Sequence, residues 1–154
     1  MGRIWDLGQF QGKTALLDEY GASLSYELLK SESYVLAEAV GKRCLVFCLC
    51  RNEIGSVLGY VSFINNAIVP VLLNSHLEEE LLNNLLKTYE PLFLWVPKDQ
   101  VDQFPGMEVH HEAYDYVLLK TRYKKEYPLN SELGLLLTTS GSTGSPKFVQ
   151  IVEF

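Results

Sequence analysis

An α/β fold, a doubly wound and mostly parallel sheet with flanking helices, is the architecture this sequence predicts, and three observations predict it. Apolar runs of strand length at 44–50, 69–73 and 91–96 alternate with segments whose apolar residues recur at helical spacing. Strand, helix, strand, helix, strand at such intervals is the signature of parallel βαβ units. A last strand-type run, Leu135, Leu136 and Leu137, then leads into a stretch of small residues. The composition agrees: 154 residues, 47% apolar and 21% charged, suit a single globular domain, 1–154, large enough to bury a core.

In chain order, Thr14 to Leu17 and Ala22 to Leu24 read as a hairpin, with Gly21 in the turn where a positive φ is useful. Ser25 is placed to cap a helix whose apolar stripe is Leu28, Leu29, Val35, Leu36 and Ala39, and Gly41 to stop it. The strand at 44–50 comes next. Behind the polar break Arg51-Asn52-Glu53, the residues Ile54, Val57, Leu58, Val61, Ile64 and Ile68 are spaced for a buried helix. The stretch 54–73 contains no charge and approaches the length of a membrane span, but Asn65, Asn66 and Pro70 are poorly suited to lipid. A helix to about Asn66 followed by a strand through Leu73 is the better reading.

Ser75-His76-Leu77-Glu78 has the form of a capping box, and Leu77, Leu81, Leu82, Leu85 and Leu86 make one face of a helix that must end near Pro91. The strand at 91–96 stops at Pro97. Residues 98–106 form a polar, Pro-interrupted connection. Residues 109–120 suggest one or two further strands, and 123–132 a loop. Repeats and low-complexity tracts are not apparent.

Several residues that could carry chemistry have plainer readings. Cys44, Cys48 and Cys50 alternate along one strand, so their thiols share a face. No His stands at metal-ligand spacing from them, and buried reduced cysteines are the expectation. Adjacent His110 and His111 point to opposite sides of a strand and read as surface or half-buried residues. Glu78, Glu79 and Glu80 open a helix, where negative charge meets the dipole favourably. A net charge of −6 argues against an extended nucleic-acid surface, and the short basic spot Lys120, Arg122, Lys124 and Lys125 reads as solvated. Without a basic n-region and cleavage site at the start, cytoplasm is the expected location.

The chemically distinctive stretch is Thr139-Ser140-Gly141-Ser142-Thr143-Gly144-Ser145-Pro146-Lys147. Small residues let backbone N–H groups approach an anion, hydroxyls add donors, and glycine permits backbone angles closed to other residues. Lys147 adds a compact positive charge suited to phosphate oxygens. A flexible Ser/Gly linker has similar composition, but does not require a leucine strand before it and Pro-Lys after it. A Walker-type loop is also excluded: Gly12-Lys13-Thr14 ends like one, but Leu7 stands where the first glycine is required, and Phe148 follows Lys147.

These nine positions resemble the signature of the adenylate-forming enzyme superfamily, which includes acyl- and aryl-CoA synthetases, peptide-synthetase adenylation domains and luciferases. Every defined position of Thr-Ser-Gly-Ser/Thr-Thr-Gly-x-Pro-Lys matches. A weaker likeness lies at Ser25-Tyr26-Glu27-Leu28-Leu29, which parallels a Thr-Tyr-x-Glu-Leu helix start but has Leu28 where Glu is usual. The helix and Val-Pro strand at 54–73 also resemble the family. Phe148 departs from the small residue common after Pro-Lys.

The resemblance implies an N-terminal portion of the adenylate-forming fold, in a ligase that joins a small carboxylic acid to the AMP moiety of ATP. Pyrophosphate is released, and the acyl group passes to CoA or a carrier pantetheine. It implies ATP and phosphate contacts for Thr139, Ser140, Gly141, Ser142, Thr143, Gly144 and Lys147, with Thr139 near Mg²⁺. The family's Tyr-Gly-x-Thr-Glu segment, adenosine-binding Asp and C-terminal catalytic Lys have no counterpart in the chain. It therefore offers no catalytic residue, and turnover by it alone is not expected. The alternative is a non-catalytic interaction module retaining a phosphate loop. Self-association through an incomplete sheet is a further expectation.

Overall fold

The computed structural model describes residues 5–138 and 148–152. After a short 3-10 turn, Leu7–Phe10, strands β1 (Thr14–Leu17) and β2 (Ser23–Ser25) pair as an antiparallel hairpin, as expected. Helix α1 (Tyr26–Val40) follows, then β3 (Leu45–Cys50), α2 (Ile54–Asn65), β4 (Val69–Asn74), α3 (Glu79–Tyr89) and β5 (Phe93–Pro97). A 3-10 segment, Lys98–Gln103, leads to β6 (Glu108–Ala113) and β7 (Tyr116–Lys120). A loop then reaches β8 (Leu133–Thr138), and β9 (Phe148–Val152) is the last strand.

Seven strands form the main sheet in the order β6-β7-β5-β3-β4-β8-β9. β5, β3, β4 and β8 run parallel. β7 is antiparallel to β5, and β6 to β7, so β6 shares the direction of the centre. β9 folds back antiparallel on β8. The connection β3-α2-β4 moves one way across the sheet and β4-α3-β5 moves back past β3. Right-handed crossovers in opposite directions put their helices on opposite faces, which makes the sheet doubly wound.

α1 and α2 cover one face. Leu29, Leu36, Leu58 and Phe63 pack there against Val46, Cys48, Trp95, Tyr116 and Leu118. α3 covers the other, where Leu82, Leu85 and Leu86 meet Phe47, Val71, Leu94 and Val117. Cys44 and Cys48 lie on the first face, with Cys50 packed against it, so the alternation of the cysteines was read correctly.

Ser25 caps α1, its Oγ accepting from the Leu28 N–H, and Gly41 ends the helix at φ 79°. The stripe needs correcting. Leu28 and Val35 are exposed, and the inward face is Leu29, Ser33, Leu36, Ala37 and Val40. α1 packs on α2 through a polar contact at its centre, the Ser62 Oγ donating to the Ser33 carbonyl at 2.5 Å. Val57 likewise faces outward from α2, while Gly55, Ser56, Gly59 and Ser62 are buried.

The capping box at Ser75 also needs correcting. The Ser75 N–H bonds the Cys50 carbonyl and so still belongs to the end of the β3–β4 ladder. A turn follows, in which the Asn74 side chain accepts from the His76 N–H, and α3 begins only at Glu79 with no side-chain cap. β9 and the first 3-10 turn are elements that the sequence reading did not anticipate.

Candidate functional site at the carboxyl edge of the sheet

In doubly wound sheets, ligands bind outside the carboxyl ends of the strands, where adjacent connections leave in opposite directions. Here that point lies between β3 and β5. The chain leaves β3 as Arg51-Asn52-Glu53 and β5 as Lys98-Asp99. A cleft of about 480 Å³ opens there, between the β1–β2 turn (Asp18, Tyr20) and the β6–β7 turn (Tyr114, Asp115).

Each wall is held by identifiable bonds. The Asp18 Oδ1 accepts from the backbone N–H groups of Tyr20 and Ala22, at 3.0 and 2.8 Å, which fixes the first turn. Tyr114 and Asp115 both adopt the left-handed region, φ 50° and 59°. This matches the turn that joins two twisted strands in register. The Lys98 N–H donates to the Asp115 carbonyl at 2.8 Å and ties that turn to the end of β5.

Arg51 crosses the cleft floor. Its Nη1 lies 2.9 Å from the Asp99 Oδ2 and 3.7 Å from the Glu53 Oε1. The guanidinium hydrogen bond holds the Asp99 carboxyl below the usual carboxylate range, and Asp99 raises Arg51 in turn. Lys98 pairs with Glu112, which raises its pKa. Beneath the cleft the buried Tyr116 hydroxyl donates to the Leu49 carbonyl at 2.8 Å. Burial pushes its pKa up to about 12. Sequence reading missed Arg51, Lys98 and Asp99 as site residues. Their position immediately after strands of predicted βαβ units was the available signal.

The predicted phosphate-contact residues Thr139, Ser140, Gly141, Ser142, Thr143, Gly144 and Lys147 lie outside the described residues. Their flanks are described. Thr138 pairs with Phe148 at the end of the β8–β9 ladder, and β8 is parallel to β4. Thr138 and Phe148, the described residues on either side of that segment, lie at the same carboxyl edge from which Arg51, Ser75 and Lys98 leave.

The histidines are not brought together with this edge's cleft. His110 is exposed on β6 with its ring edge-on to Phe93 at 5.5 Å, and His111 is half-buried. Nor are the cysteines nucleophiles in waiting. Burial raises all three thiols, Cys44 to about 11 and Cys48 well above the ordinary value. Among the described residues no three His, Cys, Asp or Glu side chains form a metal set, and no helix is long and apolar enough to cross a membrane.

No protein-family model matches the sequence, and no curated protein matches it significantly. Solved structures do share the fold. The N-terminal subdomain of NpsA from Klebsiella oxytoca matches 99% of this chain at 22% identity, with a TM-score of 0.68, over 42% of its own length. O-succinylbenzoate coenzyme A synthetase (MenE) from Bacillus subtilis, in complex with AMP, matches 95% of the chain at 21% identity and a TM-score of 0.66, over 41% of its own length. A fatty acyl-adenylate ligase from L. pneumophila, in complex with acyl adenylate and pyrophosphate, matches 90% at 16% identity and a TM-score of 0.65, over 27% of its length. The chain thus spans about two fifths of the first two and less of the third. Its fold is the one these structures share over the matched part of their length.

Proposed function

We propose, on the premise of that shared fold, that this chain is the N-terminal part of an ATP-dependent carboxylic acid ligase. The reaction joins a small carboxylic acid to AMP with release of pyrophosphate, and then passes the acyl group to the thiol of CoA or a carrier pantetheine. The observation that carries the reading is the meeting of sequence and fold at one place. The nine-residue phosphate signature spans the gap between paired residues Thr138 and Phe148, at the carboxyl edge of the parallel strands.

The chemistry asks for what that segment contains. As the acid's carboxylate oxygen attacks the α-phosphorus, the bond to the bridging oxygen breaks and negative charge gathers on the departing pyrophosphate. Backbone N–H groups and hydroxyls from Ser140 to Gly144 are suited to hold the β- and γ-phosphates, and Lys147 to neutralise their charge. Mg²⁺ retains most of its water and is typically bound by one or two protein groups together with substrate phosphates. A single Thr139 contact fits that economy. No residue of this chain is assigned to acid binding or thiol transfer.

The test is direct binding of pyrophosphate and Mg²⁺-ATP to the 154-residue chain, followed by ³¹P and amide NMR. Both are expected to bind, and Lys147→Ala is expected to weaken them by about tenfold or more, the worth of one charged hydrogen bond. Absence of binding, or an unchanged affinity in a folded Lys147→Ala chain, overturns the assignment. In the ligase containing this segment, the same substitution is expected to slow acid-dependent ATP–pyrophosphate exchange.

A further inference from the structure

A second cavity, of about 460 Å³, lies between the N-terminal turn, α1 and the end of α2. That volume falls in the range of small-molecule sites, roughly 300–1,000 Å³. α2 runs back from the carboxyl end of β3 to the amino end of β4. Asn65, at its close, therefore places the cavity at the other end of the sheet from the Arg51 cleft. Every described residue of the lining falls between Trp5 and Asn66, so one stretch of chain builds the site. Its Trp5 wall is fixed. The Asn65 Oδ1 accepts from the Trp5 N–H at 3.1 Å, and the Asn65 Nδ2 donates to the Trp5 carbonyl at 3.2 Å. The Trp5 ring packs on Tyr60 with centroids 5.5 Å apart.

Three polar side chains of the lining are uncommitted. Ser33 is 3% exposed, and its Oγ is buried without a partner among the described residues. A helical serine can return its hydroxyl to the carbonyl one turn back, and Ser33 does not. An unsatisfied buried hydroxyl costs stability, so its place in the lining asks for a ligand group that bonds it. Glu27 and Lys30 stand three residues apart on α1, near enough to pair. Among the described residues neither forms an ion pair. Asp6, on the neighbouring turn, commits its carboxyl oxygens to the Gly8 N–H and the Gln9 amide instead. The cavity thus presents one negative charge, one positive charge, a hydroxyl and two aromatic walls, Trp5 and Tyr34. A singly charged ligand leaves one of those charges unmatched, whereas a zwitterion answers both. We propose that this cavity binds a free α-amino acid with an aromatic side chain. Its ammonium meets Glu27, its carboxylate meets Lys30 and accepts from the Ser33 hydroxyl, and its ring lies against Trp5 and Tyr34. This inference does not rest on the ligase reading.

The test is titration of the 154-residue chain with L-phenylalanine. Trp95 is fully buried, so Trp5 is the fluorescent reporter, and amide NMR locates the site. Saturable binding in the millimolar range or tighter is expected, with shifts at residues 27–34 and at Asn65. N-acetyl-L-phenylalanine lacks the ammonium and L-phenylalaninamide the carboxylate. Each is expected to bind about tenfold or more weakly, the worth of one charged hydrogen bond. Glu27→Gln and Lys30→Gln, both at exposed helix positions, are expected to do the same to L-phenylalanine. Ser33→Ala separates binding from folding. It is expected to weaken binding by about threefold or more while the urea midpoint stays or rises, since alanine removes the unsatisfied hydroxyl and favours the helix. Absence of saturable binding, equal affinity for the two modified ligands, shifts confined to the carboxyl edge, or indifference to the folded Glu27→Gln and Lys30→Gln chains each overturn the proposal. So does a Ser33→Ala chain of lower stability, which would show that the fold itself uses the hydroxyl.

Discussion

The two faces of the main sheet are built by different means. Under α3, three leucines at helical spacing, Leu82, Leu85 and Leu86, lie on Leu, Val and Phe side chains of β3, β4, β5 and β7. Under α2 the helix comes close enough that its glycines matter. A methyl group on Gly55 would sit 2.5 Å from the Tyr114 carbonyl oxygen and from the Tyr116 ring, and one on Gly59 would sit 2.4 Å from the Trp95 indole. The indole uses that closeness, its Nε1–H donating to the Gly55 carbonyl at 2.8 Å, while Phe63 meets it edge-on at 6.5 Å and Tyr116 lies tilted against it at 5.4 Å. One face is a leucine stripe on a helix without glycine. The other is an aromatic cluster with polar bonds that depends on the absence of side chains.

The largest effect expected from that contrast is Trp95→Ala. It empties the centre of the α2 face and leaves the Gly55 carbonyl without its donor, at a cost of about 4 kcal/mol. The midpoint of urea unfolding would show it. Gly55→Ala ranks next, at roughly 2 kcal/mol. Alanine's better helix propensity offsets only part of the clash, because the nearest atom belongs to the backbone. A neutral result there would mean that the α2 contact is looser than described. On the α3 face, Leu85→Met keeps the volume and is expected to cost under about 1.5 kcal/mol. A larger loss would erase the distinction between the faces.

The last effect is a pH dependence. Cys44, Cys48, Cys50 and Tyr116 belong to the α2 face or pack against it, and burial is the first cause of each raised pKa. The folded chain therefore holds protons that the unfolded chain releases. Their contribution is complete below the ordinary thiol range, near pH 9, and is lost as pH rises toward the folded values of about 11 for Cys44 and about 12 for Tyr116. Unfolding midpoints measured from pH 8 upward should fall. Tyr116→Phe should remove the part of that fall nearest the tyrosine range.

Much of the fold was legible because it rests on local periodicity. The strands at Leu45, Val69 and Phe93, the caps at Ser25 and Gly41, and the α3 leucines each follow from residues within one turn or one strand. The readings that failed were those in which a distant partner decides. Ser75 looks like a cap until its N–H is seen bonded to Cys50, and Leu28 looks like core until Ser33 is found on the inward face, bonded to Ser62 of α2. The α2 glycines Gly55 and Gly59 share a helix face, but nothing local shows that Tyr116 and Trp95 press on them. β9 is a mostly apolar run of strand length, but its partner β8 lies on the far side of a stretch whose composition suggests a loop.

The site divides in the same way. Sequence alone singled out the segment from Thr139 to Lys147 as the phosphate-loop candidate, since the residue types such a loop needs are contiguous: small, hydroxylated, glycine and lysine. It could not show that Asp18, Arg51, Lys98, Asp99 and Asp115, up to 97 positions apart, line one cleft. Parallel strands hydrogen-bond residues that the chain separates by whole helices, so only the crossovers of the sheet decide which strand ends become neighbours.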